Sequence, residues 1–441
     1  MKITFSNLCS HAFHQVKISP DGQYVANAVA NRLVIRRSGE ELPAIHVFEC
    51  SRPINYIQWS PNSECILAVN YEFSRIEVHS IMDPKWTAHI RDPSFPIALA
   101  QWTADSKSIL CTAEMGSRLA IWSLSKKEQR YINGVKFRDK CIETSPDGKY
   151  TAVIHKRSGK DALGIYHSAS FISLQQFEVN TTDLDNMKWS PDSSCIAIWD
   201  NYLYHTLSVY RPDGYLCTTY NGYEHGLGIK TANWSQDGKL LAIGNYDQTI
   251  HLLSTMSWDL ITILEHPSTL NNSTTHIQLF EETTFAKPQI PTLETVIAYQ
   301  SIVKRPFNLP SLRLDYNQPN PKVGIGVCQF SKDGNYLASR NDNIPNALWI
   351  WDVNRLICRY IVLFRNTIKQ VLWNPREDGI LAIVCGDENI HFMKLTTEGG
   401  IEFIPSTVPT SDFFIRKARW HSNGKNLLLL DQQLYCLAEM T

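Results

Sequence analysis

A chain of 441 residues with 43% apolar and 19% charged residues has the composition of an ordinary globular protein with a sizeable core. Lys and Arg number 42 against 43 Asp and Glu, and no basic run exceeds two residues, so no net field draws the chain to nucleic acid or anionic lipid. No window approaches the roughly 18 apolar residues of a membrane span and the start, Met1-Lys2-Ile3-Thr4-Phe5, is no signal peptide. The eleven cysteines are odd in number and never closer than 15 residues, which points to reduced core thiols in an intracellular protein rather than a disulfide or zinc framework. Cys65, Cys195, Cys328 and Cys385 fall on strands expected to be buried.

A first turn landmark, Ser19-Pro20-Asp21-Gly22, follows the short apolar segment that begins the chain. Pro pre-sets φ at the second position, Asp tolerates the third, and Gly accepts the positive φ at the exit, a tight reversal between two antiparallel strands. Related phrases begin at Ser60, Thr103, Ser145, Ser190, Ser235, Ser331, Asn374 and His421, at intervals of 41, 43, 42, 45, 45, 96, 43 and 47 residues. Before most of them an alternating strand ends in an aromatic, as in Ile57-Gln58-Trp59 and Ala232-Asn233-Trp234. After them comes a nearly continuous apolar run such as Ile66-Leu67-Ala68-Val69, suited to a strand buried on both faces. A third strand such as Leu348-Trp349-Ile350-Trp351 and a more polar fourth, such as Ala44-Ile45-His46-Val47-Phe48, complete the repeat. A period in the low forties with four strands per period predicts an all-β, WD40-like β-propeller: one closed ring of about nine four-stranded blades spanning residues 1–441. The abundant Trp is expected to pack between blades.

The long interval leaves about 53 residues beyond one repeat, a Pro-, Asn- and Thr-rich insertion over residues 265–322. Its strand-like pieces, His276–Phe280 and Val296–Val303, predict a projecting hairpin in preference to the remnant of a tenth blade. At the far end the ninth landmark is followed by only two strand-like runs. Met1–Leu8, which has no blade of its own, is predicted to complete that last blade and so remove two bare edges.

No catalytic constellation emerges. Gly324-Ile325-Gly326 and Gly226-Leu227-Gly228 begin like phosphate loops but lack the third glycine and a following helix, and there is no G-x-S-x-G or P-loop. His11 and His14, three apart on a strand, are splayed rather than paired for a metal. The chain is therefore expected to be no enzyme and to need no cofactor or metal. Two stretches exceed what a blade needs: Arg340-Asn341-Asp342-Asn343-Ile344-Pro345-Asn346, between the second and third strands of the seventh blade, and Tyr223–Lys230 before the sixth landmark strand. Binding residues concentrate on loops held by a rigid scaffold. Tyr223, His225, Lys230, Arg340, Asn341, Asp342, Asn343 and Asn346 are the candidate partner-binding residues, with ordered turns as the plainer alternative.

The run Asn320–Gly326, the seventh landmark and Arg340–Asp352 together resemble the hallmark of the centrosomal and spindle-pole WD-repeat family, that of WD-repeat protein eight. Tyr223 with Leu227–Lys230, and Glu265-His266-Pro267, are similar to the same family. The resemblance implies a non-enzymatic adaptor in the cytoskeleton at a microtubule-organising centre, centrosome or spindle pole body. Its implied partners are a coiled-coil anchoring protein, other pole components and, in fungi, a kinesin-14 motor, with microtubule minus ends tethered and spindle assembly supported. Neither nucleic acid nor membrane is an implied partner. A translation-initiation-factor-like propeller acting on the ribosome is the alternative, and a hydrolase-associated propeller is disfavoured by the missing nucleophile. Only Trp351-Asp352 ends a third strand in Trp-Asp and Gly-His pairs are missing, so the hydrogen-bonded tetrad of standard blades is not expected in most repeats. Asp247 is the best surviving turn aspartate.

Overall fold

The computed structural model describes residues 2–12, 15–92, 96–113, 118–137, 139–140, 142–222, 225–286, 295–312, 322–396, 400–410 and 412–440. Each turn landmark is a small hydrogen-bonded device. Ser19 Oγ donates to Asp21 Oδ1 at 2.5 Å and accepts from the Tyr24 N–H at 3.0 Å, while Gly22 at φ 76° returns its N–H to the Ser19 carbonyl. The copy at Ser145 repeats this, with Gly148 at φ 71°. Where serine replaces glycine the shape survives: Ser63, Ser106 and Ser193 all sit at φ near 60°, between 59° and 63°. The strain is offset by a new contact, because the Ser63 hydroxyl accepts the Asp21 N–H of the preceding turn, and Ser106 and Ser193 do the same for Asn62 and Asp147. The degraded copies therefore bind adjacent turns together.

The strand-end tryptophans act across blades in the same way. Nε1 of Trp59 donates to the Lys17 carbonyl at 2.9 Å, that of Trp102 to Gln58 at 3.1 Å and that of Trp189 to Glu143 at 3.1 Å. Each indole thereby buries its ring against the previous blade while its one donor is satisfied.

The chain divides into two compact units, Lys2–Asp200 with Leu207–Thr219 and His421–Thr441 in one, and Asn201–Thr206 with Tyr220–Trp420 in the other. The first unit holds four complete four-stranded antiparallel sheets, from Val16–Ile18 to Ser173–Glu178, and most of a fifth. It also holds the junction of the termini. Strand Ile3–Phe5 pairs antiparallel with Leu434–Met440, Ile3 opposite Met440 and Phe5 opposite Ala438, and Cys9–Ser10 adds a second short pairing. Val16, Val25 and Leu42 pack against Leu428, Leu430, Tyr435 and Leu437 in one core cluster. The Tyr435 hydroxyl donates to Asn27 at 3.0 Å, and the His421 ring lies where a Cβ on Gly22 would clash at 2.2 Å. The N-terminal strand completes the last blade, as its lack of a partner in sequence predicts.

The second unit holds the sixth, seventh and eighth sheets. The seventh has six strands, because the inserted hairpin, Gln278–Ala286 with Thr295–Ile302, docks on its outer strand Ile357–Leu363. The pairing is parallel, Leu279 opposite Ile361 and Glu281 opposite Leu363. Tyr299 stacks on Phe403 at 4.0 Å and Phe280 meets the same ring at 5.2 Å, so the hairpin is packed down rather than projecting. Thr269–Leu270 pairs with Phe307–Asn308 at the base of the insertion. Of the four cysteines expected in the core, Cys328 and Cys385 are buried, whereas Cys65 and Cys195, at the turn ends of their strands, are only half-buried. The fold is all-β with nine WD40-type propeller blades. Among the described residues its helical content is one 3-10 turn, Asn272–Thr274, and no helix is long and apolar enough to cross a membrane.

One blade seam keeps a full polar relay. His266 follows the outer strand of the sixth blade, Leu260–Glu265, and its Nδ1 meets the Gln248 carbonyl at 3.0 Å. A carbonyl only accepts, so Nδ1 carries the proton and Nε2 accepts from Ser339 Oγ at 2.8 Å. The same Ser339 oxygen accepts Nε1–H of Trp351 at 2.8 Å. Asp247 is not part of this relay; its carboxylate binds its own Thr249, so the turn aspartate singled out by the sequence caps a loop instead.

Candidate partner-binding surface

The stretches that resemble the family hallmark converge on one carboxylate. Asp342 follows the second strand of the seventh blade, Tyr336–Asn341, and its Oδ1 accepts Arg340 Nη2 at 2.6 Å and Nε at 3.1 Å. Its Oδ2 accepts Lys230 Nζ at 2.7 Å, from the first strand of the sixth blade, Ile229–Trp234. Lys230 also donates to the Val323 carbonyl at 2.6 Å and lies 5.0 Å from the Tyr246 ring centroid. Arg340 Nη1 donates to the Ile368 carbonyl. A Cβ on Gly326 would sit 2.3 Å from Asp342 Oδ1, which is why glycine occupies that position. Gly228 is similarly required, since a Cβ there would fall 1.7 Å from the Tyr204 carbonyl oxygen.

Two cations share one anion, each side chain being 15–18% exposed. Such a partly desolvated group needs every donor placed, and the carbonyls of Val323 and Ile368 take what Asp342 cannot. The cluster joins the sixth blade to the seventh and leaves one positive charge in excess.

The structure separates the eight candidates. Tyr223 lies outside the described residues and His225 is exposed. Lys230, Arg340 and Asp342 form the triad. Asn341 is fully buried, ending the second strand rather than lying in the loop; its Nδ2 donates to Gln248 Oε1 and its Oδ1 accepts the Asn343 N–H. Asn343 is 8% exposed and its carbonyl accepts the Leu312 N–H at the end of the insertion. Asn346 is half-buried, with Nδ2 on the Phe364 carbonyl at 3.3 Å. Asn341 and Asn343 are thus corrected from contact residues to loop-forming ones: the Asn341 amide closes the turn onto the Asn343 N–H, and Asn343 is buried and held through its backbone N–H and carbonyl. His14 lies outside the described residues, and His11 is buried 6.2 Å from the Tyr435 ring.

Beside the triad is a surface that the residue pattern did not single out. Loop Asn201–His205 of the fifth blade exposes Tyr202, Leu203 and Tyr204 by 46%, 56% and 36%. The Tyr202 ring meets Tyr246 at 6.4 Å, and the Gly228 N–H donates to the Tyr202 carbonyl at 2.8 Å. Three consecutive large apolar side chains are thereby held on a braced loop next to the positive triad. The available signal was their place at the turn between second and third strands, where three consecutive large side chains have no core to face.

The family model for the WD domain, G-beta repeat, matches residues 214–254, which span the outer strand of the fifth blade and the first three strands of the sixth. Over 433 residues the chain is 33% identical to WD repeat-containing protein WRAP73 of Mus musculus, a match covering 96% of this chain and 92% of that protein. It is 24% identical over 381 residues to an uncharacterised WD repeat-containing protein of Schizosaccharomyces pombe, covering 83% and 75% of the two chains. The crystal structure of the C-terminal WD40 domain of Sif2 matches with a TM-score of 0.51 at 13% identity, over 88% of this chain and 96% of that domain, a likeness of fold alone.

Proposed function

The chain belongs to the WRAP73 family of WD-repeat proteins, and on that premise we propose that it is a non-enzymatic scaffold of the microtubule-organising centre. In this reading it holds a coiled-coil anchoring protein, and in fungi a kinesin-14 motor, so that microtubule minus ends are tethered. The supporting observation is the exposed Tyr202-Leu203-Tyr204 loop beside the Lys230–Asp342–Arg340 triad. Aromatic anchors flanked by one excess positive charge suit a helix carrying apolar and acidic residues at i, i+3 and i+4. Tyr and Arg are the residue types that most often carry interface energy, and the loop is already braced, so little ordering entropy opposes binding.

The test is affinity capture from dividing cells with the native chain and with Tyr202→Ser/Leu203→Ser. The native chain is expected to retain pole components and the double variant to lose them, with the melting temperature within a few degrees. Recovery of ribosomal subunits in place of pole components, or undiminished capture by the double variant, overturns the reading.

A further inference from the structure

The seam between the first and second blades has the same construction as the relay seam but a different chemistry. Cys50 follows the first blade's outer strand, Ala44–Glu49, as His266 follows Leu260–Glu265. Glu77 and His79 are the third and fifth residues of Arg75–Ser80, the positions that Trp349 and Trp351 hold in Ala347–Asp352. Ala68, opposite Glu77, stands where Ser339 stands opposite Trp349. The serine that closes the relay is therefore missing, and three side chains that bind metals occupy its surroundings.

All three are at least nine-tenths buried, at 5%, 5% and 4% exposure. Their donor atoms lie within 4.8 Å of one another. Cys50 Sγ is 3.6 Å from His79 Nε2, the span of about 3.6 Å that a tetrahedral zinc sets between sulfur and nitrogen ligands at about 2.3 and 2.0–2.1 Å. His79 Nε2 is 3.9 Å from Glu77 Oε2, about half an ångström wider than the corresponding nitrogen–oxygen span. The carboxylate is already oriented. Ser51 N–H, Ser51 Oγ and Arg75 Nε all direct their bonds or charge to Oε1, and Oε2 faces the imidazole. The imidazole itself is poorly satisfied: Nδ1 has no hydrogen-bond partner, and Nε2 meets a weakly bonding thiol with the carboxylate beyond hydrogen-bond reach.

We propose that Cys50 Sγ, Glu77 Oε2 and His79 Nε2 bind a zinc ion that ties the end of the first blade to the third strand of the second. Thiolate, carboxylate and neutral imidazole are the donor set of that ion, and the thiolate and carboxylate together balance its charge. A small open pocket lined by Cys50, Arg52, Pro53, Asn70, Arg75 and Glu77 adjoins two of the three donors. Burial, with Glu77 beside it, pushes the Cys50 thiol up to about 12, so binding displaces a proton from sulfur. Burial lowers the His79 imidazole and keeps it in the neutral form that ligates.

The experiment is a cobalt(II) titration of the chelator-dialysed full chain, followed by thiolate-to-cobalt charge-transfer absorption and by displacement with zinc. One equivalent is expected to develop the band, and one equivalent of zinc to remove it. Cys50→Ser is expected to lose the band entirely and Cys65→Ser to keep it. His79→Gln is expected to keep some absorption but to weaken binding at least about tenfold. Should Cys50→Ser fail to fold by circular dichroism, His79→Gln decides: weakening supports the site and unchanged affinity overturns it. Absence of the band in the native chain, or its survival in folded Cys50→Ser, also overturns the proposal.

Discussion

The seams entering the second and seventh blades place side chains at equivalent positions and arrive at opposite states. In the seventh, His266, Ser339 and Trp351 form a chain of bonds of 2.8–3.0 Å ending on the Gln248 carbonyl. In the second, Cys50 Sγ and Glu77 Oε2 stand 3.6 and 3.9 Å from His79 Nε2, and His79 Nδ1 has no hydrogen-bond partner. The seams differ at all four positions, Cys50 for His266, Glu77 and His79 for Trp349 and Trp351, and Ala68 for Ser339, so the second lacks the hydroxyl that closes the seventh. A propeller seam is a slot for buried polar groups, and a slot without its closing hydroxyl either carries an unsatisfied donor or acceptor or takes a ligand that substitutes for it.

The largest effect that sharpens this contrast is truncation of the ring beside the relay. Trp349 is fully buried, and its ring meets that of His266 at 4.9 Å. Trp349→Ala is expected to cost about 3–5 kcal/mol in urea unfolding, since the relay around it is too tightly bonded to collapse into the space. A loss under about 1 kcal/mol shows instead that the seam relaxes freely. Next comes Ser339→Ala, which removes the closing hydroxyl that the second seam also lacks. It strands Trp351 Nε1–H and His266 Nε2, each an orphan of about 1–3 kcal/mol. The reciprocal Ala68→Ser is expected to change stability by under about 1 kcal/mol, because its hydroxyl has only a weakly held imidazole to engage.

Much of this architecture was readable in the residues and the rest was hidden for physical reasons. The turn landmarks were legible because Ser, Asp and Gly at fixed offsets each perform a local task, and local hydrogen bonds do not depend on distant context. The exchange of strands between the termini followed from counting. The docking of the inserted hairpin was not legible, since parallel pairing of Gln278–Glu281 with Tyr360–Leu363 is decided by packing on Phe403 and not by the hairpin's own residues. Asn341 and Asn343 read as surface because amides usually are exposed; Asn341 is held inside by Gln248, 93 residues away, and Asn343 by backbone bonds to Asn341 Oδ1 and the Leu312 N–H. Cys50, Glu77 and His79 escaped a search by spacing because 26 residues separate the thiol from the carboxylate. The remaining signal was Glu77 and His79 alternating with Ile76 and Val78, two titratable groups on a strand where the sixth and eighth blades carry a single histidine at the third position.

A smaller effect concerns acid. Burial lowers the His266 imidazole from 6.5 to about 3, so it stays neutral in the native protein through most of the acidic range. The unfolded chain takes up a proton at this residue below its ordinary value near 6.5, and the native chain does not. Stability contributed by His266 is therefore complete above about pH 6.5 and falls with acid towards pH 3, at up to about 1.4 kcal/mol per pH unit. His266→Gln is expected to lower stability at pH 7 and to flatten its dependence on pH between about 4 and 6 relative to the native chain. An unchanged slope in urea unfolding across that window shows that His266 is protonated in the folded state or that other groups dominate the proton uptake.

The smallest effect is expected at Cys50 in protein stripped of metal. Its sulfur makes a long contact to His79 and sits beside the Glu77 carboxylate, and the ordinary Ser-for-Cys exchange puts a better hydrogen-bonding atom at nearly the same place. A shorter oxygen reaches the imidazole less well, yet it loses little, because a thiol at 3.6 Å contributes little to begin with. Cys50→Ser is thus expected to unfold within about 1 kcal/mol of the native chain when both are dialysed against chelator. Adding zinc separates them. A ligand that binds only the native state stabilises by about 2.7 kcal/mol at one hundred times its dissociation constant, and the variant, lacking the thiolate, gains none of this. Equal urea midpoints without metal and divergent midpoints with it place the function of Cys50 in ligation. A variant already much weaker without metal makes the second seam a closed packing unit like the seventh, and the contrast between the two seams disappears.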